Sequence, residues 1–438
     1  MNPELLGIVM LVALLAVIFV GFPISFTLIV VAIVFGYIGL GDMVFHLMVI
    51  QTFGMMQEEV LAAVPLFIFM GYIVEQADLM SRLFRAFRYL LAPLKGSLYL
   101  GVIFTATIFA MATGIVGAAV TVLGIMAAPI MMKCHYSPRL AAGAIAAGGT
   151  LGILIPPSVM LVVMGPVMNV SVAKLYGAAF GPGFLLAFLY IAYLLFRCYR
   201  NPELGPPVPI EERLTSLPAM IRELVVGMVP LSILIAGTLG SILGGLATPT
   251  EAAAMGAFGG VLLALGYGKL NGKMLVNSAV GTMQTTSMVL FLGVASNVFG
   301  AVFARLGSAD LMTRTLLALP VPPFIMLLII MALLFLLGWP FEWPAIIYLF
   351  LPIFMPVVIA LKYDLVWFGA LVAVNLQTAF LSPPVAMSAY YLKAVVPDWE
   401  LSTIYKGMAD FMVLQIIGLL LLMLFPEIAL WFPRWLFG

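Results

Sequence analysis

Charge is what this sequence has least of: only 8% of its 438 residues are Asp, Glu, Lys or Arg, where an ordinary soluble domain carries roughly 25%. With 64% hydrophobic residues, that scarcity excludes a water-soluble fold. Histidine is down to His46 and His135, far apart in the chain. There is no His-Glu-x-x-His run, no pair of mid-membrane aspartates and no Gly-rich phosphate loop ending in Lys-Ser or Lys-Thr. The constellations of an intramembrane protease or an ATP-driven machine are therefore missing, and no catalytic residue is expected. Cys134 and Cys198 fall in segments expected on the cytoplasmic side, without a metal-ligand companion at close spacing. Neither a disulfide nor a transition-metal site is expected of them. The cations are scattered at helix ends and form no stripe, so nucleic acid is not expected as a partner.

What the chain has instead is apolar length. Stretches such as 5–20, 185–196 and 412–425 belong to segments long enough to cross a bilayer as helices, and roughly ten membrane-embedded segments are expected, with membrane lipid as their surroundings. The first stretch lacks the basic flank of a signal peptide and is followed directly by more membrane sequence, so it reads as a spanning helix. Spans are expected over 4–22, 24–41, 60–77, 176–197, 224–245, 250–268, 280–303 and 408–431. Between Arg82 and Lys95, cations alternate with Leu83, Phe84, Phe87 and Leu91, the pattern of a helix lying on the membrane surface. If that helix faces the cytoplasm, every one of the 19 lysines and arginines falls on the same side except Lys174, Arg305, Arg314, Lys362 and Arg434. The bias of positive charge then predicts both termini on the outer face.

Glycine and proline sit inside the apolar stretches, not in polar linkers. A re-entrant hairpin is expected over 98–130, broken at 112–114 and Gly117, followed by a broken helix over 139–165. A second hairpin is expected over 322–360, broken around 338–344, with a second broken helix over 366–393. A constant shift along the chain lays Pro129 on Pro356, Tyr136 on Tyr363, Pro156 on Pro383 and Pro157 on Pro384; a slightly shorter one lays Gly71 on Gly293. The two halves thus read as one unit repeated, and the charge bias makes the copies antiparallel. The expected fold is an all-α integral membrane protein with inverted repeats, two re-entrant helical hairpins and two discontinuous helices. Residues 1–59 form N-terminal scaffold helices, 60–199 the first repeat, 200–279 a cytoplasmic loop with further scaffold helices, and 280–431 the second repeat.

The chemistry is expected at the two helix breaks, 148–158 and 375–384. Each holds a proline pair, Pro156-Pro157 and Pro383-Pro384, which removes backbone donors and frees carbonyls of the preceding turn. Freed carbonyls in hydrocarbon cost several kcal/mol each unless something polar, such as a cation, satisfies them. Hydroxyls of Thr150, Ser158, Thr378 and Ser382 add oxygen ligands for a hard ion, and the helix starts beyond each break offer N–H groups to an anion. The same residues would also serve as proline kinks packed by glycine; two copies, each preceded by a hairpin tip, favour a pair of ion sites. Glu342 is the acid deep in the second hairpin, open to use as a cation ligand, proton carrier, substrate contact or helix cap. Thr248-Pro249-Thr250-Glu251 reads as a capping arrangement. Glu58 and Glu59 at an outer mouth, and Glu75 and Asp78 at the inner end of the third span, carry no assigned chemistry.

The stretches Gly149 to Ser158, Thr248 to Ala253 and Ser382-Pro383-Pro384, in this order, resemble the large membrane subunit of tripartite ATP-independent periplasmic (TRAP) transporters, over essentially the whole chain. The resemblance implies an elevator-type transporter that takes up a small organic anion in symport with about two Na+. It also implies a separate small four-helix membrane subunit and a periplasmic substrate-binding protein as partners, in the inner membrane of a bacterium. It places Na+ at Thr113, Gly114, Gly149, Thr150 and Ser158, and at Gly338, Glu342, Asn375, Thr378 and Ser382. Substrate is expected at Thr113, Pro156, Pro157, Ser158, Glu342, Pro383 and Pro384. The first tip holds less serine than the family's, and Glu342 stands near the place of an Asp. Competing readings are an ion-coupled anion transporter without a binding protein, a channel, or a structural membrane subunit; the substrate itself is not legible.

Overall fold

The computed structural model describes residues 2–209, 213, 216–383 and 385–438, apart from the side chains of Thr113, Leu217 and Met220. All regular structure among them is helical. The helices α1 (Pro3–Phe19), α2 (Ile24–Leu40) and α3 (Met43–Met56) precede α4 (Ala63–Gln76) and the short α5 (Leu79–Leu90). Helix α5 is amphipathic, as its cations and apolar residues alternate: Leu79, Met80, Leu83, Phe84, Ala86 and Phe87 are buried along one face, covered by other helices of the protein. Arg82 lies on the polar face, 4.8 Å from the centre of the Tyr267 ring.

The first hairpin is α6 (Ser97–Thr113) and α7 (Val116–Lys133); the broken helix after it is α8 (Pro138–Thr150) and α9 (Val159–Met168), and α10 (Val172–Arg200) completes the unit. A second set follows the scaffold helices α11 (Leu217–Leu243), α12 (Pro249–Gly266) and α13 (Gly272–Arg305) and the short α14 (Ser308–Leu317). Its hairpin is α15 (Pro323–Leu337) and a helical run opening with α16 (Trp343–Ala345), passing through a π-helical turn at Ile346–Phe350 and ending in α17 (Leu351–Ala360). Pro352 has no N–H to give the carbonyl of Tyr348, and the widened turn falls where that bond is missing. The second broken helix is α18 (Leu365–Ala379) and α19 (Met387–Val395), followed by α20 (Leu401–Leu424) and α21 (Glu427–Phe437). Among the described residues, eight helical runs are long and apolar enough to cross a membrane unaided. The half-helices α6, α8, α9, α15, α18 and α19 make up half of the remaining α-helices described.

Thr248 caps α12 as its sequence suggests: its hydroxyl accepts from the Glu251 amide at 3.2 Å while its own N–H donates to the Glu251 carboxylate at 2.8 Å. Four expectations need correction. Gly117 lies inside α7 against the Tyr391 ring, so the first tip is only Gly114-Ile115. The span expected over 408–431 is two helices, because a proline at 426 disfavours helical geometry at Phe425, which has φ −125°. Helices α3 and α14 are additional; at 14 and 10 residues they give no spanning signal. Finally α13, at 34 residues, is about 51 Å long and far exceeds both the span expected over 280–303 and a hydrocarbon core of about 30 Å.

The two sets interlock. Helix α20 of the second packs on α8 of the first, and α10 of the first on α18 of the second. Where α8 meets α20, Gly143 and Gly407 let the backbones touch: a Cβ on Gly407 would lie 2.0 Å from the Arg139 carbonyl oxygen, and one on Gly143 2.5 Å from the Gly407 carbonyl oxygen. Nearby, Asp410 of α20 accepts two hydrogen bonds from Arg139 of α8, at 2.7 and 2.9 Å, and one from Tyr193 of α10. At the centre Gln377 of α18 donates to Thr150 of α8 at 2.9 Å, and the two residues are separated by 227 positions, the same offset that relates the proline pairs. Equivalent positions of the two copies therefore touch in the core.

Candidate functional site

Both helix breaks are real. In the first, α8 runs into a tight turn over Leu151–Ile153, and regular helix resumes only at Val159. Ser158 closes the gap by donating its hydroxyl to the Ile153 carbonyl, and its own carbonyl accepts from Tyr176 at 3.4 Å. Opposite stands the first tip. Gly114 holds φ +61°, a conformation that glycine adopts without a Cβ penalty. A Cβ there would lie 3.7 Å from the Pro157 oxygen and 3.8 Å from the Gly152 oxygen, so this glycine faces the carbonyls that the proline pair exposes. The structure thus brings Gly114 to Pro157 and to the turn beside Ser158. Gly149 packs instead against Val120 of α7. Thr113 ends α6, and its side chain is outside the described residues.

In the second break, α18 ends at Ala379 and α19 starts at Met387. The gap is bridged by the Ser388 amide donating to the Phe380 carbonyl at 3.3 Å. Asn375 ties α18 to the second hairpin, its amide donating to the Met331 carbonyl at 2.8 Å. Thr378 donates to the Asn375 carbonyl at 2.6 Å, which leaves its lone pairs open. Gly338 of the tip touches the end of α18, since a Cβ there would stand 2.8 Å from Cβ of Ala379. The Ser382 hydroxyl is buried without a partner among the described residues. Pro383 is exposed, and Pro384 lies outside the described residues.

Thr150 corrects the expected list. Its hydroxyl donates to the Ala147 carbonyl at 2.8 Å and accepts from the amides of Gln377 at 2.9 Å and Gln415 at 3.3 Å. A hydroxyl has one proton and two lone pairs, all committed here, so Thr150 can offer a cation only its backbone carbonyl. Thr150→Val keeps the shape but strands two fully buried amides. It is expected to lower the unfolding free energy by about 1–3 kcal/mol, read as a lower melting temperature, while leaving the ion requirement of the protein unchanged.

The two tips and two breaks meet at one cavity of about 560 Å³. Gly114, Gly338 and Glu342 of the expected residues line it, whereas Ser158, Asn375, Thr378, Ser382, Pro156, Pro157 and Pro383 do not. Val116, Val159, Trp343 and Met387 also line it, and each opens a half-helix: α7, α9, the run Trp343–Ala360 and α19. Four helix N-termini, the positive ends of their dipoles, therefore converge on the cavity. Thr285 and Met288 of α13 close its scaffold side. Of the aromatic residues in the wall, Trp339, Trp343 and Phe380 lie in the tip and break expected at the site without an assigned role, and sequence reasoning missed Tyr391. In a chain with 12% aromatics nothing in their spacing marks them. It also missed Gln377 and Gln415, whose polarity inside long apolar helices is a legible signal.

A family model described as tripartite ATP-independent periplasmic transporter, DctM component, matches residues 11–428. The sialic acid TRAP transporter large permease protein SiaM of Vibrio cholerae is 29% identical over 426 residues, 97% of each chain. The C4-dicarboxylate TRAP transporter large permease protein DctM of Pseudomonas aeruginosa is 27% identical, over 88% of this chain and 89% of that one. Among solved structures, the YdaH transporter of Alcanivorax borkumensis, described as having an unusual topology, covers 99% of this chain with a TM-score of 0.63 at 16% identity. At that identity the likeness shows a shared fold.

Proposed function

Because this chain belongs to the DctM family of tripartite ATP-independent periplasmic transporters, a class of non-enzymatic membrane permeases, we propose that it drives sodium-coupled uptake of a small organic acid. A periplasmic binding protein hands the solute over, a small four-helix membrane subunit completes the permease, and the assembly sits in a bacterial inner membrane with both termini of this chain outside. The observation that carries the reading is the convergence of both hairpin tips and both helix breaks on one cavity. Half-helix C-termini present carbonyls suited to cations, and the facing N-termini present N–H groups suited to a carboxylate.

One Na+ is assigned to the Gly114 tip with the carbonyls of Gly152 and Pro157 and the hydroxyl of Ser158. The other is assigned to Gly338 with Asn375, Thr378 and Ser382. Two Na+ entering through roughly 100 mV with a tenfold gradient release on the order of 7 kcal/mol before the solute's own charge is subtracted. That suffices for uphill uptake without ATP. The interlocked repeats would move as one body against α1, α2 and α11 to α13, as in an elevator.

Proteoliposomes containing both membrane subunits, given the binding protein and its solute, are expected to take up solute under an inward sodium gradient and not under a potassium gradient. Ser158→Ala combined with Thr378→Ala is expected to lower that uptake at least about tenfold, the loss corresponding to about 1.4 kcal/mol. Uptake that persists without sodium, or that the double variant leaves intact, overturns the reading.

A further inference from the structure

We propose that the cavity takes a zwitterion, a solute with a carboxylate or sulfonate at one end and an alkylammonium-type cation at the other, the cation being held by Glu342 among aromatic faces. The inference rests on the transport reading of this cavity and narrows its substrate class. Glu342 lines the cavity, and no Lys, Arg or His does. Among the described residues its carboxyl group makes no hydrogen bond and no ion pair. Glu342 is half-buried in the cavity wall, and a carboxylate there without a protein partner is free to take its counter-charge from a ligand.

The surroundings favour an organic cation over a bare metal ion. Trp339, Trp343, Phe380 and Tyr391 share the cavity wall with Glu342. Aromatic faces attract alkylammonium groups by their quadrupole, and a carboxylate among them adds the counter-charge. Metal coordination asks instead for a shell of oxygens, which the two helix breaks offer and this wall does not. The acidic end of the solute meets the four converging helix N-termini, opened by Val116, Val159, Trp343 and Met387. A plain dianion would bring its second charge against Glu342; a zwitterion places each end against its complement.

The test uses the complete permease, both membrane subunits in nanodiscs, with glycine betaine and its carbon isostere tert-butylacetate as probes. The two have nearly the same shape and the same carboxylate and differ in the positive charge. In thermal-shift titrations at saturating sodium, betaine is expected to reach half-saturation at about tenfold lower concentration than the isostere. Glu342→Gln is expected to bring the two to within about twofold. Equal half-saturation in the wild-type protein, or no shift with betaine, overturns the zwitterion. So does a Glu342→Gln permease that treats the probes as the wild type does, or one whose change is a raised sodium requirement, which would give the carboxylate to the ion. Sodium alone, without either probe, reports on the parent reading: stabilisation by sodium with indifferent probes leaves sodium coupling standing, and no response to sodium removes its basis.

Discussion

Replacing Gly407 with valine should prevent the protein from accumulating as a folded chain. The Cβ position at Gly407 lies 2.0 Å from the carbonyl oxygen of Arg139 and 3.0 Å from the amide nitrogen of Gly143. Both are backbone atoms inside helix α8, so no side chain can rotate away, and relief requires separating α8 from α20. That contact joins the two repeats and lies beside the Asp410 network. Overpacking a close-packed interior costs about 1–3 kcal/mol even where side chains yield, so the upper end or more is expected here. Such a loss is a large fraction of a typical folding free energy of about 5–15 kcal/mol. Fluorescence-detected size exclusion of a tagged protein measures the outcome. Gly237→Ala, at a site with nothing within 4 Å, should behave as wild type, and a monodisperse, normally abundant Gly407→Val protein would refute the packing described for this crossing.

Gly114→Ala should have the opposite signature, an intact fold with transport lost. An alanine can be accommodated sterically, since its methyl would stand 3.7 Å from the Pro157 oxygen and the Val159 nitrogen and 3.8 Å from the Gly152 oxygen. It must however hold φ at +61°, which costs a residue with a Cβ roughly 1–2 kcal/mol. More consequentially, the methyl projects toward the carbonyls assigned to the first Na+. Sodium-driven uptake in proteoliposomes is expected to fall at least about tenfold, with the melting temperature lowered only slightly. Unchanged uptake would remove the first tip from the ion site.

Much of the architecture was legible because membrane insertion imposes a strong pattern. Apolar runs, the cations of α5 and the repeated proline pairs led to hairpins and breaks whose observed ends lie within a few residues of those expected. The last helix was misjudged because Phe425 and Pro426 lie in a run apolar enough to conceal a break. The site was legible as positions and not as orientations. Gly114, Gly338 and Glu342 reach the cavity, whereas Thr150, indistinguishable from Ser158 in the sequence, faces Gln377 and Gln415. One helical turn separates a side chain turned to the cavity from one turned to the core, and a helix that breaks loses the periodicity from which its facing could be computed.

The sequence by itself determined the solvent of this protein, the order of its elements and the repetition of one unit, because each follows from local composition and from backbone groups that proline and glycine remove. The tertiary structure alone decided that the two units interlock through Gly143 and Gly407 and that four half-helix ends share one cavity. It also decided that Phe380 and Tyr391 of the second break join Glu342 in the wall of that cavity. Those facts depend on contacts between segments distant in the chain, and no local pattern records which of two equally apolar faces a distant helix will cover.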